Sequence, residues 1–191
     1  MTPPRPDMRF VEPHRDPWRP SRGEDGPLER PDPQPHLLLE PAQWRAVRGQ
    51  WPADLPVGVV LPNDADLDEL AADLGAPSPL ALIALQFPKW TDGRAYSQAR
   101  QLRVRHGFAG QLRAVGEVLV DMLPLLQRCG FDAVQLRRDQ SVDAAQRALE
   151  YFAGHYQADV HRPVPAFARS AQRQFTVADL RSPDLFAGQG I

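Results

Sequence analysis

The chain has 191 residues, of which 22 are basic and 24 acidic, and its formal net charge is −2 at pH 7. The length suits one domain with tails, and the charge excludes the strongly basic class of nonspecific nucleic-acid-binding proteins. No apolar run approaches the ~20 residues that span a bilayer, and the N-terminus has no apolar signal-peptide core. One cysteine excludes an internal disulfide. These features predict a cytoplasmic protein that binds neither nucleic acid nor membrane.

The first 35 residues are predicted to form a proline-rich leader. Eleven of the 21 prolines lie in residues 1–41. Each proline removes a backbone donor and restricts the residue before it, so this stretch is expected to be extended or disordered. Residues 9–12 and 37–40 are short enough to dock as edge strands. At the other end, residues 157–191 mix proline, glycine, arginine and serine without sustained periodicity, which predicts a mobile tail.

The residues between these ends, 36–156, are predicted to form one α/β domain of four consecutive strand–helix units. The longest apolar run, Leu80–Phe87, is typical of a strand that is buried on both faces. The four strands are predicted at 57–61, 80–87, 111–115 and 133–136, and the following helices are expected to begin at Ala65, after Thr91 or Asp92, near Asp121 and after Ser141.

Strand–helix alternation with short connections predicts parallel strands joined by right-handed crossovers. Four such units can form half of a β/α barrel, or a small open sheet with helices on both faces. The pattern does not separate these two forms. A half barrel leaves two sheet edges exposed, which favours either a homo-oligomer or cover by the N-terminal segment.

Charged side chains follow each predicted strand, at the edge where a parallel sheet binds ligands. Lys89 is the only lysine in the chain, and a lysine amine is compact and titratable, unlike a guanidinium. Together with Arg94 and Arg137 it would form a pocket for a sulfur oxyanion or phosphate, to which helix N-termini add backbone donors. The further candidates are Thr91 and Asp92 for the same anion site, with Glu117 and Asp121 as other side chains of this rim.

A second interpretation gives the same residues structural roles. Asp92 would cap the helix that follows it, and the arginines would pair at the surface with Glu117 and Asp139. Trp90 and Tyr96 are expected to be core residues rather than the wall of a pocket. The sequence leaves both interpretations open.

The common signatures of cofactor binding are missing from the sequence. No Gly-x-Gly-x-x-Gly motif follows a strand, and there is no phosphate-binding Gly-Lys-Ser/Thr loop. The five histidines are not spaced as metal ligands with Cys129. This cysteine lies on a predicted buried helix stripe, which indicates a small core residue rather than a nucleophile. We therefore expect no metal and no redox cofactor.

Three blocks of sequence resemble a known bacterial family. They are residues 82–97, which include Gln-Phe-Pro-Lys-Trp-Thr-Asp-Gly-Arg, residues 110–119 and residues 128–137. In this order they are similar to the family called domain of unknown function 934. The chain has Trp90 where phenylalanine is common in that family, and Glu117 where aspartate is common.

The resemblance implies an association with assimilatory sulfite reduction, but it supplies no established catalytic residues. Three hypotheses follow: an accessory protein whose partner is the sulfite reductase haemoprotein, a small enzyme acting on a sulfur oxyanion, and a sensor that binds such an anion without turnover. Whether the protein is an enzyme is left open. We prefer the accessory protein, because it needs no cofactor motif.

Overall fold

A computed structural model describes residues 7–23, 26–74, 79–151 and 155–168. Seven parallel strands form one sheet in the order β1-β9-β8-β7-β6-β5-β2, and β3 pairs with β4 in an antiparallel hairpin. The strands are β1 Arg9–Phe10, β2 Arg19–Pro20, β3 Arg22–Gly23, β4 Gly26–Pro27, β5 Leu37–Leu39, β6 Val57–Leu61, β7 Leu80–Phe87, β8 Gln111–Gly116 and β9 Ala133–Val134. The helices are α1 Pro41–Val47, α2 Arg94–Val104, α3 Leu123–Cys129 and α4 Val142–Glu150, with 3-10 helices at Arg48–Gln50, Asp68–Asp73 and Val120–Met122.

The sheet is an open, curled half barrel, which confirms the predicted parallel α/β class and distinguishes between its two forms. Strands β5 to β9 lie side by side in chain order. Successive right-handed crossovers in one direction place the connecting helices on the same face of the sheet. Three strands add to the four predicted ones. Of these, β1 is an edge strand, as expected for residues 9–12. Strand β5 forms within the expected residues 37–40 but is not an edge, because β2, which was not predicted, pairs with its outer side.

The apolar core lies between the sheet and these helices. Strand β7 pairs with β6 on one side and β8 on the other. Its residues Ile83, Leu85 and Phe87 are fully buried and belong to the main core cluster, together with Leu102 of α2 and Leu126 of α3. Burying each such side chain contributes about 1.5–3 kcal/mol to folding. The face of the sheet that carries these residues is therefore the helix-covered face.

The ends of two helices agree with the sequence signals. Pro124 lies in the first turn of α3, and Gly130, with φ +97°, ends that helix in the left-handed conformation. Ser141 caps α4, because its hydroxyl accepts a hydrogen bond from the Ala144 N–H at 3.4 Å. Both ends confirm the prediction, since capping depends on neighbouring residues alone.

Three other boundaries differ from the prediction. The helix expected from Ala65 is a 3-10 helix that begins at Asp68. The Asp66 carboxylate accepts the Asp68 N–H at 2.9 Å, a side-chain turn that competes with an α-helical start. Helix α2 is capped by Gly93 rather than by a residue before it, and β9 ends at Val134.

The N-terminal segment crosses the face of the sheet that has no helices. Strand β1 pairs with β9 at one edge and β2 pairs with β5 at the other, so the residues between them, 11–18, pass from edge to edge. We call residues 11–18 the strap. Gly58 and Arg113 lie on the helix-free face because they alternate with core residues, and they meet Trp18 and Asp16 of the strap. The strap therefore covers this face, and β1 and β2 occupy both edges.

The described part of the predicted leader thus contributes residues 9–10 and 19–20 to the sheet. The domain boundaries at residues 35 and 156 stay predictions, and residues 169–191 of the predicted tail lie outside the described residues. No helix in the described part of the chain combines the length and the apolar character needed to cross a membrane.

Candidate functional site

The loop that leaves β7 at the carboxyl edge of the sheet contains most of the predicted site. We call residues 88–93 the rim loop. The Asp92 N–H donates to the Lys89 carbonyl at 3.0 Å, which closes a turn. Lys89 and Thr91 are exposed, and the Trp90 side chain between them is 56 % exposed. The loop is therefore ordered by its own backbone and presents an aromatic ring and a cation to solvent.

Trp90 and Tyr96 were both expected in the core, and only Tyr96 contacts it. The Tyr96 ring packs edge-to-face on Phe87, with ring centroids 5.2 Å apart, and burial raises the pKa of its hydroxyl to about 12. The core prediction for Trp90 is wrong. Its apolar character suggested burial, but the turn before α2 directs it away from the core.

Arg94 forms a two-pronged ion pair with Asp92 across the start of α2. Its Nε and terminal nitrogen lie 3.0 and 2.7 Å from the two carboxylate oxygens of Asp92. Hydrogen bonding by Arg94 lowers the pKa of Asp92 to about 2, and the same bond raises the pKa of Arg94. The positive charge of Arg94 is thus largely neutralised within its own loop.

Arg137 is engaged in the same way by two carboxylates. Its Nε and one terminal nitrogen lie 2.6 and 2.7 Å from the two oxygens of Asp139, and its other terminal nitrogen lies 2.9 Å from Glu117. These bonds raise the pKa of Arg137, with Asp139 the larger cause, and lower that of Asp139 to about 2. Arg137 therefore links the loop after β8 to the loop after β9.

The predicted rim residues thus form local ion pairs rather than one convergent pocket. Arg94 pairs within the rim loop, and Arg137 pairs with Glu117 and Asp139, which is the arrangement of the structural interpretation. Lys89 forms no ion pair with a described residue, and Asp121 is exposed in the 3-10 helix before α3. An anion site at this rim stays a prediction. Among the described candidate residues, Lys89 is the one cation without an ion pair.

Comparison with known protein families identifies the family to which the chain belongs. Residues 58–167 match the family described as "Bacterial protein of unknown function (DUF934)". The chain belongs to this DUF934 family. No curated protein and no solved structure matches it. The matched range holds the rim loop, strands β7 to β9 and all but the first residue of β6, whereas the strap, β1, β2 and β5 precede it.

In this DUF934 protein a second feature of the carboxyl edge had not been predicted. A cavity of about 450 Å³ opens at the ends of β5, β6 and β7 and is lined in part by Gln86. Gln86 is the polar residue of an otherwise apolar strand and is exposed, although its neighbours in β7 are buried. That interruption was the available sequence signal for the cavity. The part of the lining at residues 20–22 left no signal, because strand β2 has only two residues.

The first part of the segment after α4 contacts helix α3. Asp159 is buried and pairs with His155, and the His161 ring lies 3.1 Å from the Gln127 carbonyl of α3. The Val160 N–H donates to the Arg128 carbonyl at 3.2 Å. Residues 155–162 are therefore fastened to the carboxyl end of α3.

The described residues contain no cluster of three or more histidine, cysteine or acidic side chains that could hold a metal ion. Cys129 is partly buried, packs against the core, and has a thiol pKa that is raised, chiefly by burial. A raised pKa lowers the thiolate fraction at neutral pH, which disfavours nucleophilic chemistry at this cysteine.

Proposed function

We propose that this DUF934 protein is a non-catalytic accessory protein of assimilatory sulfite reduction, and that it binds the sulfite reductase haemoprotein through the rim loop. The observation that supports the proposal is Trp90, a residue that is 56 % exposed in an ordered turn. Tryptophan is among the residues that contribute most binding energy at protein interfaces.

The order of the rim loop favours binding of a partner. The turn closed by Asp92 and the ion pair between Asp92 and Arg94 hold the backbone on both sides of Trp90. A loop that is already ordered loses less conformational entropy when it enters an interface. Exposed Lys89 beside the ring suits a partner with an acidic surface, since charge complementarity speeds association and selects partners.

The charges of the rim favour the accessory protein over an anion-binding enzyme or sensor. Arg94 and Arg137 already donate to carboxylates, so a free oxyanion would have to displace those partners. Lys89 alone would then have to bind the anion. The choice of the haemoprotein as partner rests on what the family resemblance implies.

The proposal is tested by measuring the affinity between the full chain and the purified sulfite reductase haemoprotein by biolayer interferometry. We expect saturable binding that weakens about tenfold or more in Trp90→Ala, as for an interface anchor. Tyr151→Ala is the matched control, because Tyr151 is an aromatic side chain 79 % exposed at the end of α4. The absence of binding, or equal affinities of wild type and Trp90→Ala, would contradict the proposal.

A further inference from the structure

The cavity at the ends of β5, β6 and β7 lies where the helix-free face of the sheet meets the start of α1, beside β2. Leu38 pairs with Pro20 and Gly58 in neighbouring strands, and Val60 lies on the same face one register step further. These apolar side chains line the cavity, whose volume is about 450 Å³. A volume of this size is typical of small-molecule sites, which occur at this edge of parallel sheets.

Gln86 supplies an uncommitted amide to this cavity. The other seven residues of β7 are apolar, and the Gln86 side chain makes no hydrogen bond with a described residue. A side-chain amide has one acceptor oxygen and two donor hydrogens, which a ligand can use. Gln86 is exposed, so its amide is accessible to a ligand in the cavity.

Two opposite charges also line the cavity. Arg22 follows the strap and β2, and Glu40 follows β5 and immediately precedes α1. Among the described residues, Arg22 and Glu40 form no ion pair with each other or with any other side chain. This contrasts with Arg94 and Arg137, which are neutralised at the rim.

We propose that this cavity binds a small zwitterion of the α-amino-acid class. The guanidinium of Arg22 matches a carboxylate, because its planar fork donates two parallel hydrogen bonds. Glu40 accepts from the ligand's ammonium group, and Gln86 adds a polar contact. An uncharged side chain of the ligand lies against Leu38 and Val60, where its burial contributes to affinity.

The pair of charges excludes simpler ligands of one sign. An inorganic anion such as sulfate would be attracted by Arg22 but repelled by Glu40. A simple amine cation would be attracted by Glu40 but repelled by Arg22. A zwitterion satisfies both charges at once. The site shares no residue with the rim loop, so it is independent of the binding of a partner protein through Trp90.

The test uses L-leucine and its two single-charge analogues, 4-methylvalerate and isoamylamine, which lack the ammonium and the carboxylate respectively. Binding to the full chain is measured by isothermal titration calorimetry and by the shift of the melting temperature. We expect saturable binding of L-leucine at millimolar concentration or below, and at least about tenfold weaker binding of either analogue.

Arg22→Gln and Glu40→Gln are each expected to weaken L-leucine binding by about tenfold or more, and Gln86→Leu by a smaller factor. Arg19→Gln is the matched control, since Arg19 is an exposed arginine of β2 that does not line this cavity. Far-UV circular dichroism confirms that the variants fold. The proposal is overturned if L-leucine does not bind, if all three compounds bind equally, or if Arg19→Gln loses affinity as much as Arg22→Gln does.

Discussion

Arg113 of β8, an inner strand of the sheet, is paired with Asp16 of the strap, 97 residues earlier in the chain. The two side chains are only 2 % and 8 % exposed. One terminal nitrogen of Arg113 lies 3.3 Å from an Asp16 oxygen and 3.0 Å from the Gln111 side-chain oxygen. The pair fastens the strap to the helix-free face, and through it both edge strands are held in the sheet.

Asp16→Ala is expected to lower the free energy of unfolding by about 3–5 kcal/mol, because it leaves the guanidinium of Arg113 buried without a counter-charge. The double variant Asp16→Leu/Arg113→Met removes both charges and is expected to be more stable than Asp16→Ala. Urea denaturation followed by fluorescence measures both values.

The control for this prediction is an exposed ion pair of the same type. Arg45 and Glu69 lie 2.7 Å apart, with side chains 48 % and 53 % exposed. Glu69→Ala is expected to change stability by no more than about 1 kcal/mol, since solvent screens exposed pairs. Equal losses for Asp16→Ala and Glu69→Ala would show that the strap is not fastened by its buried charge.

Gly116→Ala is expected to destabilise the protein by about 2 kcal/mol or more, because Gly116 has φ +98° and a Cβ there would lie 2.5 Å from the Phe87 carbonyl oxygen. That oxygen also accepts the Glu117 N–H at 2.8 Å, so it is not free to move. Gly49→Ala is the control, because nothing lies within 4 Å of its added Cβ. Thermal unfolding of the two variants should differ clearly, and equal melting temperatures would contradict the prediction.

The pKa of Asp139 is expected to rise from about 2 toward its ordinary value of 3.8 in Arg137→Gln, since the hydrogen bonds from Arg137 are the largest cause of its depression. Arg138→Gln is the matched control, because Arg138 is the exposed neighbour of Arg137 and forms no ion pair with a described residue. Carboxyl ¹³C NMR titration measures both values, and a rise in the control but not in Arg137→Gln would contradict the assignment.

The lowered pKa of Asp139 determines how the stability of the fold depends on pH. A carboxylate whose folded pKa lies below its unfolded pKa stabilises the fold fully above the unfolded value. For Asp139 and Asp92 the contribution is therefore present above about pH 4 and is lost as the pH falls toward about 2. Acid unfolding of Arg137→Gln should show less dependence on pH within this window than wild type.

If the rim does bind an oxyanion, millimolar sulfite or sulfate should raise the melting temperature of the protein, and Lys89→Ala should abolish that rise. Arg138→Ala, which removes another exposed cation after β9, serves as the control and should leave the rise intact. No rise in wild type would remove the anion site from consideration and would leave the docking proposal for Trp90 untouched.

The sequence alone predicted the parallel α/β class, the four strands from β6 to β9, the end of α3 and the start of α4. These depend on local patterns: apolar runs for the strands, Gly130 at the end of one helix and Ser141 at the start of another. The ion pair between Arg94 and Asp92 could also have been predicted from the sequence, since only one residue separates the two.

Tertiary structure decided the rest. Strand β2 has only two residues, both exposed, which is too short for a periodic pattern. It forms a strand only because it pairs with the edge of β5. The pairing of Asp16 with Arg113 needs the strap to cross the sheet, which no local pattern encodes. The Trp90 side chain is largely apolar, which suggested burial. It is exposed because it lies in the turn that precedes α2. The family and the parallel α/β class are thus determined by local sequence, whereas the half-barrel form and the surfaces that can bind a partner or a ligand depend on contacts between distant residues.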